Sequence, residues 1–505
     1  MKTSGIRTPR LPKAGTAAAA ALTVALLLAV PGATNAAPVD TPALPGWVAG
    51  GQIAPGVERM HLRDDSRTMD PKKPRKAPRE LTVIRIDPAV ASLRIESTTG
   101  KAGTAETVRD QLITQERKPF AAINGSYFML EGRTQDRNLE SAQSFGATVR
   151  DGELMGAACI DTAKRSSLIL QYGVPRIANV STVMTVAQKG TPGTSFTLDD
   201  VNRVPGTPMA CQREAEDGVL KDGVRKAVKY TDVHGKPVAV WPDATEFVLF
   251  NDSYGIPTPP KGTNTNDSDD PDSAVTGTNV VTADDQDGYE VEVDATGKIT
   301  NKWDVRGNRT VRKGYRNLQA IGTAEVTWLK SMAAAGATLD IAQTLKDVDL
   351  DQAIPLDESV DVIAGGAILM KDGVDKKAPD GCSRLDPATP TEGVTQICRS
   401  SRTAVGVDQQ GRTLLLTVTG PLAPSDPADK VDGAFFTEVT QALQSLGAMD
   451  AINLDGGGST TLLTRPIAED TLIRESGVSD STGERAVFDT VYGGPGGYAL
   501  PPKTP

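Results

Sequence analysis

The sequence contains few of the residues on which many enzymes depend. The 505-residue chain has two histidines, His61 and His234, so neither a Ser-His-Asp triad nor a histidine-rich zinc site is expected. It also lacks the G-x-x-x-x-G-K-[ST] segment of P-loop nucleotide hydrolases. Any catalysis by this chain therefore has to use carboxylates, hydroxyls, amides and arginines.

Basic residues are outnumbered by acidic ones, and aromatic residues are few. Asp and Glu number 64 against 54 Lys and Arg, which argues against a nucleic-acid partner, because nucleic-acid-binding proteins usually present a basic face. Aromatic residues make up 4 % of the chain, beside 49 glycines and 34 prolines. This composition is typical of a soluble protein that is rich in strands and loops.

Residues 1–37 predict a secretory signal peptide. Basic residues precede an apolar stretch over residues 17–30, which is short for a membrane span, and small residues follow at Thr34-Asn35-Ala36. A retained membrane anchor is the alternative. We expect a secreted, extracellular chain that begins near Ala37, with no stable membrane insertion after cleavage.

Four cysteines fit an exported protein. Cys159, Cys211, Cys382 and Cys398 form no C-x-x-C pair, which argues against a zinc cluster. In an oxidising compartment an even number of cysteines favours disulfides. Of the three possible connectivities we favour Cys159–Cys211 with Cys382–Cys398, and buried free thiols remain the alternative.

The rest of the chain suggests one main domain. Residues 38–80 are rich in proline and charge and are expected to be a linker, and residues 81–497 are expected to form the domain, with an acidic loop insertion near residues 264–287. We predict an α+β fold, in which helices pack against a large, mostly antiparallel mixed sheet.

Periodicity predicts the individual elements. The alternating segment "LTVIRIDP" from Leu81 predicts a strand, with "ASLRIEST" as its hairpin partner, and residues 402–420 predict a second hairpin. Apolar residues at helical spacing predict helices over residues 104–117, 323–336 and 433–447.

Three apolar strands end in glycine turns with polar neighbours. These turns contain Asn124-Gly125-Ser126, Gly365-Gly366 and residues 455–460, which read D-G-G-G-S-T. Consecutive backbone N–H groups in such turns form concave anion sites, and Arg402 and Arg485 could add bidentate contacts to a phosphate or carboxylate. A tight hairpin or a surface charge explains each feature alone, but their combination favours an anion site.

Five segments carry a family resemblance. They are "AAINGSYF", "DVIAGGAILMKDG", "RTAVGVDQQGR", "GAMDAINLDGGGSTTL" and "GERAV", and their order resembles that of the phosphodiester glycosidase family over residues 81–497. The resemblance implies hydrolysis of a sugar-1-phosphate diester at the glycosidic C1–O bond, with release of a free sugar and a phosphomonoester. It implies catalytic roles for Asp455 and Asn124, and substrate binding by Gly125, Arg402, Thr403, Gly456, Gly457, Ser459, Thr460 and Arg485.

The chain departs from the family pattern at two places. Thr419 precedes Gly420 where relatives often have Asp-Gly, and Ser126-Tyr127 replaces the commoner Gly-Phe pair. If that aspartate contributes in relatives, Thr419 implies weaker activity or a different substrate.

The implied reaction needs charged groups of both signs. Phosphate is a good leaving group, so the site has to neutralise the phosphate and stabilise an oxocarbenium-like sugar. Asp455 is the best candidate for the carboxylate near the anomeric carbon, and Glu140 and Asp489 are secondary candidates for its partner. Whether the enzyme retains or inverts configuration depends on the separation of these carboxylates.

Two other functions compete with a glycosidase. One is a non-catalytic or weakly active module that binds wall polymer or glycan, and the other is a metal-dependent phosphodiesterase that breaks the P–O bond. Asp284, Asp285 and Asp287 lack the alternate-position spacing of a calcium loop. We therefore expect catalysis without a metal or cofactor, on a glycan or sugar-phosphate polymer of a cell wall or exopolysaccharide.

Overall fold

The structure is a computed structural model that describes most of the chain after residue 45. The described residues are 46–64, 79–90, 93–99, 103–113, 115, 118–131, 141–158, 166–193, 195–206, 219–221, 224–226, 228–231, 237–240, 244–261, 286–378, 400–420, 433–467, 469, 471–478 and 483–495. The predicted signal peptide, all four cysteines, Glu140, His234 and nearly all of the predicted acidic insertion lie outside these residues.

Strands make up most of the regular structure. In chain order they are β1 (Val48–Ala54), β2 (Val57–Asp64), β3 (Arg79–Ile86), β4 (Leu93–Thr99), β5 (Glu106–Thr107), β6 (Ala121–Asn124), β7 (Phe128–Glu131), β8 (Ser141–Ser144), β9 (Thr148–Arg150), β10 (Glu153–Gly156), β11 (Ser166–Gln171), β12 (Val174–Gln188), β13 (Ser195–Thr197), β14 (Asp200–Val201), β15 (Val219–Lys221), β16 (Val224–Lys226) and β17 (Val228–Thr231). They continue as β18 (Pro237–Val240), β19 (Glu246–Asn251), β20 (Tyr289–Val293), β21 (Ile299–Trp303), β22 (Arg316–Ile321), β23 (Leu339–Asp347), β24 (Gln352–Ile354), β25 (Val360–Ala364), β26 (Ile368–Lys371), β27 (Val374–Asp375), β28 (Arg402–Asp408), β29 (Thr413–Thr419), β30 (Ala448–Asn453), β31 (Leu462–Thr464), β32 (Ile473–Arg474), β33 (Ala486–Val487) and β34 (Asp489–Pro495). The α-helices of the described residues are α1 (Val108–Ile113), α2 (Thr323–Ala335) and α3 (Phe436–Ser445).

Four sheets of five or more strands organise the fold. The first large sheet has the order β1-β2-β3-β29-β28-β30-β26-β27, and the second has the order β10-β9-β25-β11-β12-β23-β24, with β13 paired to β12. Two five-stranded sheets follow the orders β14-β19-β22-β20-β21 and β32-β31-β6-β34-β4. The strands pair antiparallel around β28, β30 and β34, whereas β14 pairs parallel with β19.

The predicted α+β fold class is wrong, because the protein is mostly β. The three helices of the described residues are short, and α2 buries little besides Leu329 and Ala333. The core comes instead from sheet faces packed on one another. The helices predicted over residues 323–336 and 433–447 exist as α2 and α3, but the segment from residue 104 forms β5 and only six residues of helix. Many strands are too short to give a clear alternating pattern, so their number was underestimated.

The structure also corrects two predictions near the N-terminal end of the described residues. Residues 46–64, which composition placed in a linker, form β1 and β2, and β2 pairs with β3 over its whole length. The strand at Leu81 is β3, but it pairs with β2 and β29, while the expected hairpin partner β4 pairs with β34 in another sheet. The hairpin predicted at residues 402–420 is confirmed as β28 and β29.

One hydrophobic cluster fixes the two sheets that carry the candidate site. Ile123 on β6 and Val491 on β34 pack with Val405 on β28, Ile452 on β30 and Ile363 on β25, and all five side chains are fully buried. Burial of such a side chain contributes about 1.5–3 kcal/mol. The cluster therefore holds the ends of β6, β30 and β34 at fixed positions beside one another.

Candidate active site

Asp455 lies just after the end of β30 and is partly exposed. Its backbone N–H donates to the carbonyl of Gly125 (3.0 Å), and its Oδ1 accepts from the N–H of Gly456 (2.9 Å). Burial raises the pKa of the Asp455 carboxyl to about 6, although the Ser459 hydroxyl, the Gly456 N–H and the Arg485 charge act to lower it. The carboxyl can therefore exchange a proton near neutral pH.

Asp489 is the second acidic group of the site and is fully buried at the start of β34. Its Oδ1 accepts from the N–H of Ser126 (2.5 Å), and its Oδ2 accepts from the Ser126 hydroxyl (2.6 Å). The pKa of the Asp489 carboxyl is raised to about 7, mainly by burial and also by the charge of Asp455, against the lowering effect of the Ser126 hydrogen bonds. The structure thus brings together Asp455 and a secondary candidate from the sequence.

Gly125 connects the two aspartates through its own backbone. Its N–H donates to the carbonyl of Asp489 (3.0 Å), and its carbonyl accepts from the N–H of Asp455. A Cβ on Gly125 would lie 2.2 Å from Oδ1 of Asp489, far inside van der Waals contact. Glycine is therefore required here by the close approach of the buried carboxylate.

Asn124 and Thr403 lie behind Asp455 and not at the surface. Both side chains are fully buried. Asn124 donates from Nδ2 to the carbonyl of Asp455 (2.7 Å), and its Oδ1 accepts from the Thr403 hydroxyl (2.9 Å) and the N–H of Thr461 (3.1 Å). Asn124 therefore contacts Asp455 through the Asp455 backbone carbonyl, and Thr403 contacts Asn124 in turn.

The glycine turn after Asp455 uses its amide groups within the protein. The N–H of Gly457 donates to the carbonyl of Ser401 (2.9 Å), and the N–H groups of Ser459 and Thr460 donate to the carbonyls of Gly456 and Gly457 (both 3.2 Å). The expectation that this turn offers a run of free N–H groups to an anion is therefore wrong. Its left-handed residue, Gly457 (φ 61°), instead folds the turn back onto β28.

Two arginines flank this turn and are partly exposed. The Arg485 guanidinium packs flat against Gly458, where a Cβ would lie 2.6 Å from it. Arg402 donates from Nε to the carbonyl of Ala434 (3.0 Å), and its guanidinium lies 4.4 Å from the centre of the Phe436 ring. These two side chains are therefore the cationic groups that lie beside the turn.

A third arginine, Arg474, was missed by the sequence analysis. Its Nη2 donates to the carbonyls of Thr460 (3.1 Å) and Gly477 (3.3 Å), and burial lowers its pKa while the nearby Glu484 raises it. Arg474 therefore stabilises the end of the glycine turn by hydrogen bonds to its backbone. No sequence signal indicates this role, because Arg474 lies in a segment without a recognisable motif.

The departures from the family pattern have structural partners. Thr419 is buried, and its hydroxyl accepts from the N–H of Gly477 (3.0 Å). The Tyr127 hydroxyl accepts from Nδ2 of Asn453 (2.5 Å), the last residue of β30. Ser126 holds Asp489, as described above. These three side chains thus join the segments around Asp455 and do not leave gaps in the structure.

The structure therefore gathers most of the expected site residues in one place. Asp455 and its turn are partly exposed and lie beside the two arginines, and the buried residues Asn124, Thr403 and Asp489 pack behind them. The partly exposed residues here are Arg402, Asp455, Gly456, Gly457 and Arg485, whereas Gly125, Ser459 and Thr460 are buried behind them. Within the described residues no group of three or more His, Cys, Asp or Glu side chains is placed to hold a metal ion.

Comparison with known families agrees with this arrangement. Residues 304–492 match the family model described as phosphodiester glycosidase, which confirms the resemblance over that part of the chain and supports a glycosidase-type function. The matched segment contains Arg402, Asp455, Arg485 and Asp489, whereas Gly125 comes from an earlier part of the chain. None of the curated protein sequences compared matches this chain.

Solved structures show a similar fold. A crystal structure from Burkholderia pseudomallei, described as that of a candidate exported protein, has a TM-score of 0.60 and 22 % identity, with 84 % of this chain and 75 % of that chain covered. A hypothetical protein from Synechocystis gives 0.50 and 15 %, with 87 % and 62 % covered. The zebrafish N-acetylglucosamine-1-phosphodiester alpha-N-acetylglucosaminidase catalytic domain gives 0.34 and 13 %, with 88 % and 87 % covered. No helix in the described part of the chain has the length and apolar character needed to cross a membrane.

Gly125→Ala should destabilise the protein by about 1–3 kcal/mol, because the added methyl overlaps a carboxylate that cannot move within its buried pocket. The matched control is Gly193→Ala, where a Cβ has open space. Urea unfolding of both variants measures the difference. Equal stability of the two variants would show that Gly125 is not constrained by Asp489.

The raised pKa of Asp489 also predicts how stability depends on pH. The folded state favours the protonated form (pKa about 7 against an ordinary value of 3.8), so the contribution of Asp489 is fully present at low pH. It is lost as the pH rises from about 4 through about 7, and amounts to on the order of a few kcal/mol. Asp489→Asn mimics the protonated side chain and should flatten this part of the curve, measured by urea unfolding at a series of pH values. An unchanged pH profile in the variant would contradict the assignment.

Proposed function

We propose that the protein is a secreted hydrolase that cleaves a sugar-1-phosphate diester at its glycosidic bond. In this reaction the C1–O bond to phosphate breaks and a C1–O bond to water forms. The phosphomonoester leaves with the bonding electrons and receives the proton that the water loses. The observation that carries the proposal is a pair of carboxylates with raised pKa values beside two arginines, in a segment that matches the phosphodiester glycosidase family.

Arg402 and Arg485 are assigned to the phosphate. Their guanidinium groups are held in place by the Phe436 ring and by the backbone of Gly458, so little side-chain entropy is lost on binding. A guanidinium that donates two hydrogen bonds to the phosphate neutralises the charge that grows on this leaving group as the C1–O bond breaks. This charge stabilisation reduces the need for a strong general acid.

Asp455 is assigned to the sugar. It is the partly exposed member of the carboxylate pair, and above pH 6 most of it carries a negative charge. A negative carboxylate next to the anomeric carbon stabilises the positive charge of an oxocarbenium-like transition state, or it removes the proton from the attacking water. Both roles need the charge, and neither needs a metal.

Asp489 is assigned to positioning and to control of the charge on Asp455. It is fully buried and bonded to Ser126 through both oxygens, so it does not contact the substrate. Two charged carboxylates close together repel each other, and near neutral pH the pair is expected to retain one proton between them. Protonation of Asp489 leaves Asp455 free to carry the negative charge.

The substrate is proposed to be a glycan or sugar-phosphate polymer outside the cell. The site is open at the surface beside Asp455, and the apolar stretch over residues 17–30 has the features of an export signal. A partly exposed site at the end of a strand accepts a chain from solvent without requiring the polymer to enter a closed cavity.

Asp455→Asn should lower turnover about a hundredfold or more, because it removes a charge used in the transition state but keeps the shape of the side chain. Binding of the diester should change far less. Arg402→Lys should instead raise KM on the order of tenfold, since an ammonium group cannot form the bidentate contact. The assay is steady-state hydrolysis of a panel of sugar-1-phosphate diesters with both products identified.

The matched control is Asp450→Asn on the same strand. Asp450 accepts from the N–H of Asp372 and lies 3.6 Å from the ammonium of Lys371, away from the turn, so its loss should leave turnover unchanged. Near-normal turnover of correctly folded Asp455→Asn would make Asp455 a turn residue only. Saturable glycan binding without turnover by the unsubstituted protein would favour a binding module, and dependence on an added metal would favour a phosphodiesterase.

A further inference from the structure

A second cavity lies apart from the candidate active site. It has a volume of about 590 Å³ and opens between the β9–β10 turn, the end of β19, the start of β22 and the segment before β25. This volume is in the usual range for a small-molecule site. We call it the acidic cleft and define it by Glu153, Leu154, Asn251, Asp252, Arg316 and Glu358.

The strand β25 runs from the acidic cleft toward the candidate active site, so its length indicates how far apart the two sites lie. Glu358, just before β25, lines the acidic cleft, whereas the N–H of Ala364 at the other end of the strand donates to the hydroxyl of Ser126 beside Asp489. The five residues of β25, Val360–Ala364, span about 13 Å, and the turn at Glu358 lies beyond that end. A ligand in the acidic cleft is therefore well separated from the reacting groups at Asp455.

Two carboxylates form the inner wall of the acidic cleft. Glu153 accepts from the Ser253 hydroxyl (2.8 Å), and Asp252 accepts from the N–H of Gly314 (2.7 Å). The two negative charges are close enough to disfavour each other, and burial together with this repulsion raises the pKa of Glu153. A cation placed between them would relieve the repulsion.

Arg316 supplies the hydrogen-bond donors of the acidic cleft. Its half-buried guanidinium has no hydrogen-bond or ion-pair partner among the described residues, and Glu153 is the charged group that it senses across the cavity. Burial lowers the pKa of this guanidinium. Leaving the donors of a desolvated guanidinium unused is costly. They are therefore suited to accepting groups of a ligand such as hydroxyl oxygens.

The other residues that line the acidic cleft indicate which charge and polarity a ligand should have. Asp151, Asp357 and Glu358 add three more acidic side chains at the rim, against the single basic Arg316, so an anionic sugar phosphate would be repelled. The partly exposed Leu356 and Ile341 contribute an apolar surface, and amide side chains complete the wall. Within the described residues these carboxylates do not form a group that could hold a metal ion.

We propose that the acidic cleft binds a glycan segment built of amino sugars with free amines. The ammonium group lies between Glu153 and Asp252, ring hydroxyls accept from Arg316, and the apolar C–H face of the ring packs on the partly exposed Leu356. Such a site holds a polymer at a second point and raises its local concentration at the protein. This binding does not depend on the reaction proposed for Asp455.

Isothermal titration calorimetry with the mature protein near neutral pH tests the proposal. The probes are a trimer of glucosamine with free amines and the matching trimer of N-acetylglucosamine. The free-amine trimer should bind at least about tenfold more tightly, and Glu153→Gln should weaken it about tenfold or more, because a charge-assisted hydrogen bond is lost. Asp351→Asn is the control, since that exposed carboxylate pairs with Lys346 outside the cleft.

Each outcome decides the assignment. Equal affinity of the acetylated and free-amine trimers, or no binding of the free-amine trimer, would overturn the proposal even if Glu153→Gln fails to fold. Asp455→Asn should bind the free-amine trimer as tightly as the unsubstituted protein does. Loss of binding in that variant would place the trimer at the candidate active site and contradict a separate cleft. A hydrolase that fails this test can still cleave sugar phosphates, so the two proposals are tested independently.

Discussion

The peptide groups of Gly125 join the two aspartates on which the candidate site depends. One hydrogen bond runs from Gly125 to the carbonyl of Asp489, and another runs from Asp455 to the carbonyl of Gly125. The absence of a Cβ lets the Asp489 carboxylate lie against this backbone. Since β6 and β34 are paired in register and packed on β28 and β30, the separation of the two carboxylates is set by the core and not by flexible side chains.

Burial of this pair is unfavourable for the fold and useful for the chemistry. Removing a carboxylate from water costs free energy unless it is protonated or well bonded. Asp489 keeps two hydrogen bonds from Ser126, and Arg485 provides a positive charge near Asp455. The raised pKa values that result bring both groups into the range where a proton can move at neutral pH. The site therefore combines a destabilising pair with a rigid β framework that tolerates it.

The local elements of the candidate site could be predicted from the sequence, and the contacts between residues far apart in the chain could not. The strand before Asp455, the glycine turn and the β28–β29 hairpin follow from local pattern. The contact of Ser126 with Asp489 joins residues 363 positions apart, and one sequence carries no signal for such a pairing. The same limit explains the errors: β2 is a strand because β3 pairs with it, and β1 pairs in turn with β2. The turn's amides are occupied because Ser401 and the turn's own carbonyls accept from them.

The bond that water attacks is the most direct test of the central claim. Hydrolysis of a sugar-1-phosphate diester in ¹⁸O-labelled water, followed by mass spectrometry of the phosphomonoester, reports which bond is cleaved. Attack at the anomeric carbon, stabilised by Asp455, predicts a phosphomonoester that contains no ¹⁸O, because all of its oxygens come from the substrate. A phosphomonoester carrying one ¹⁸O would show that the P–O bond breaks, and it would contradict the assignment of this carboxylate pair to a glycosidase.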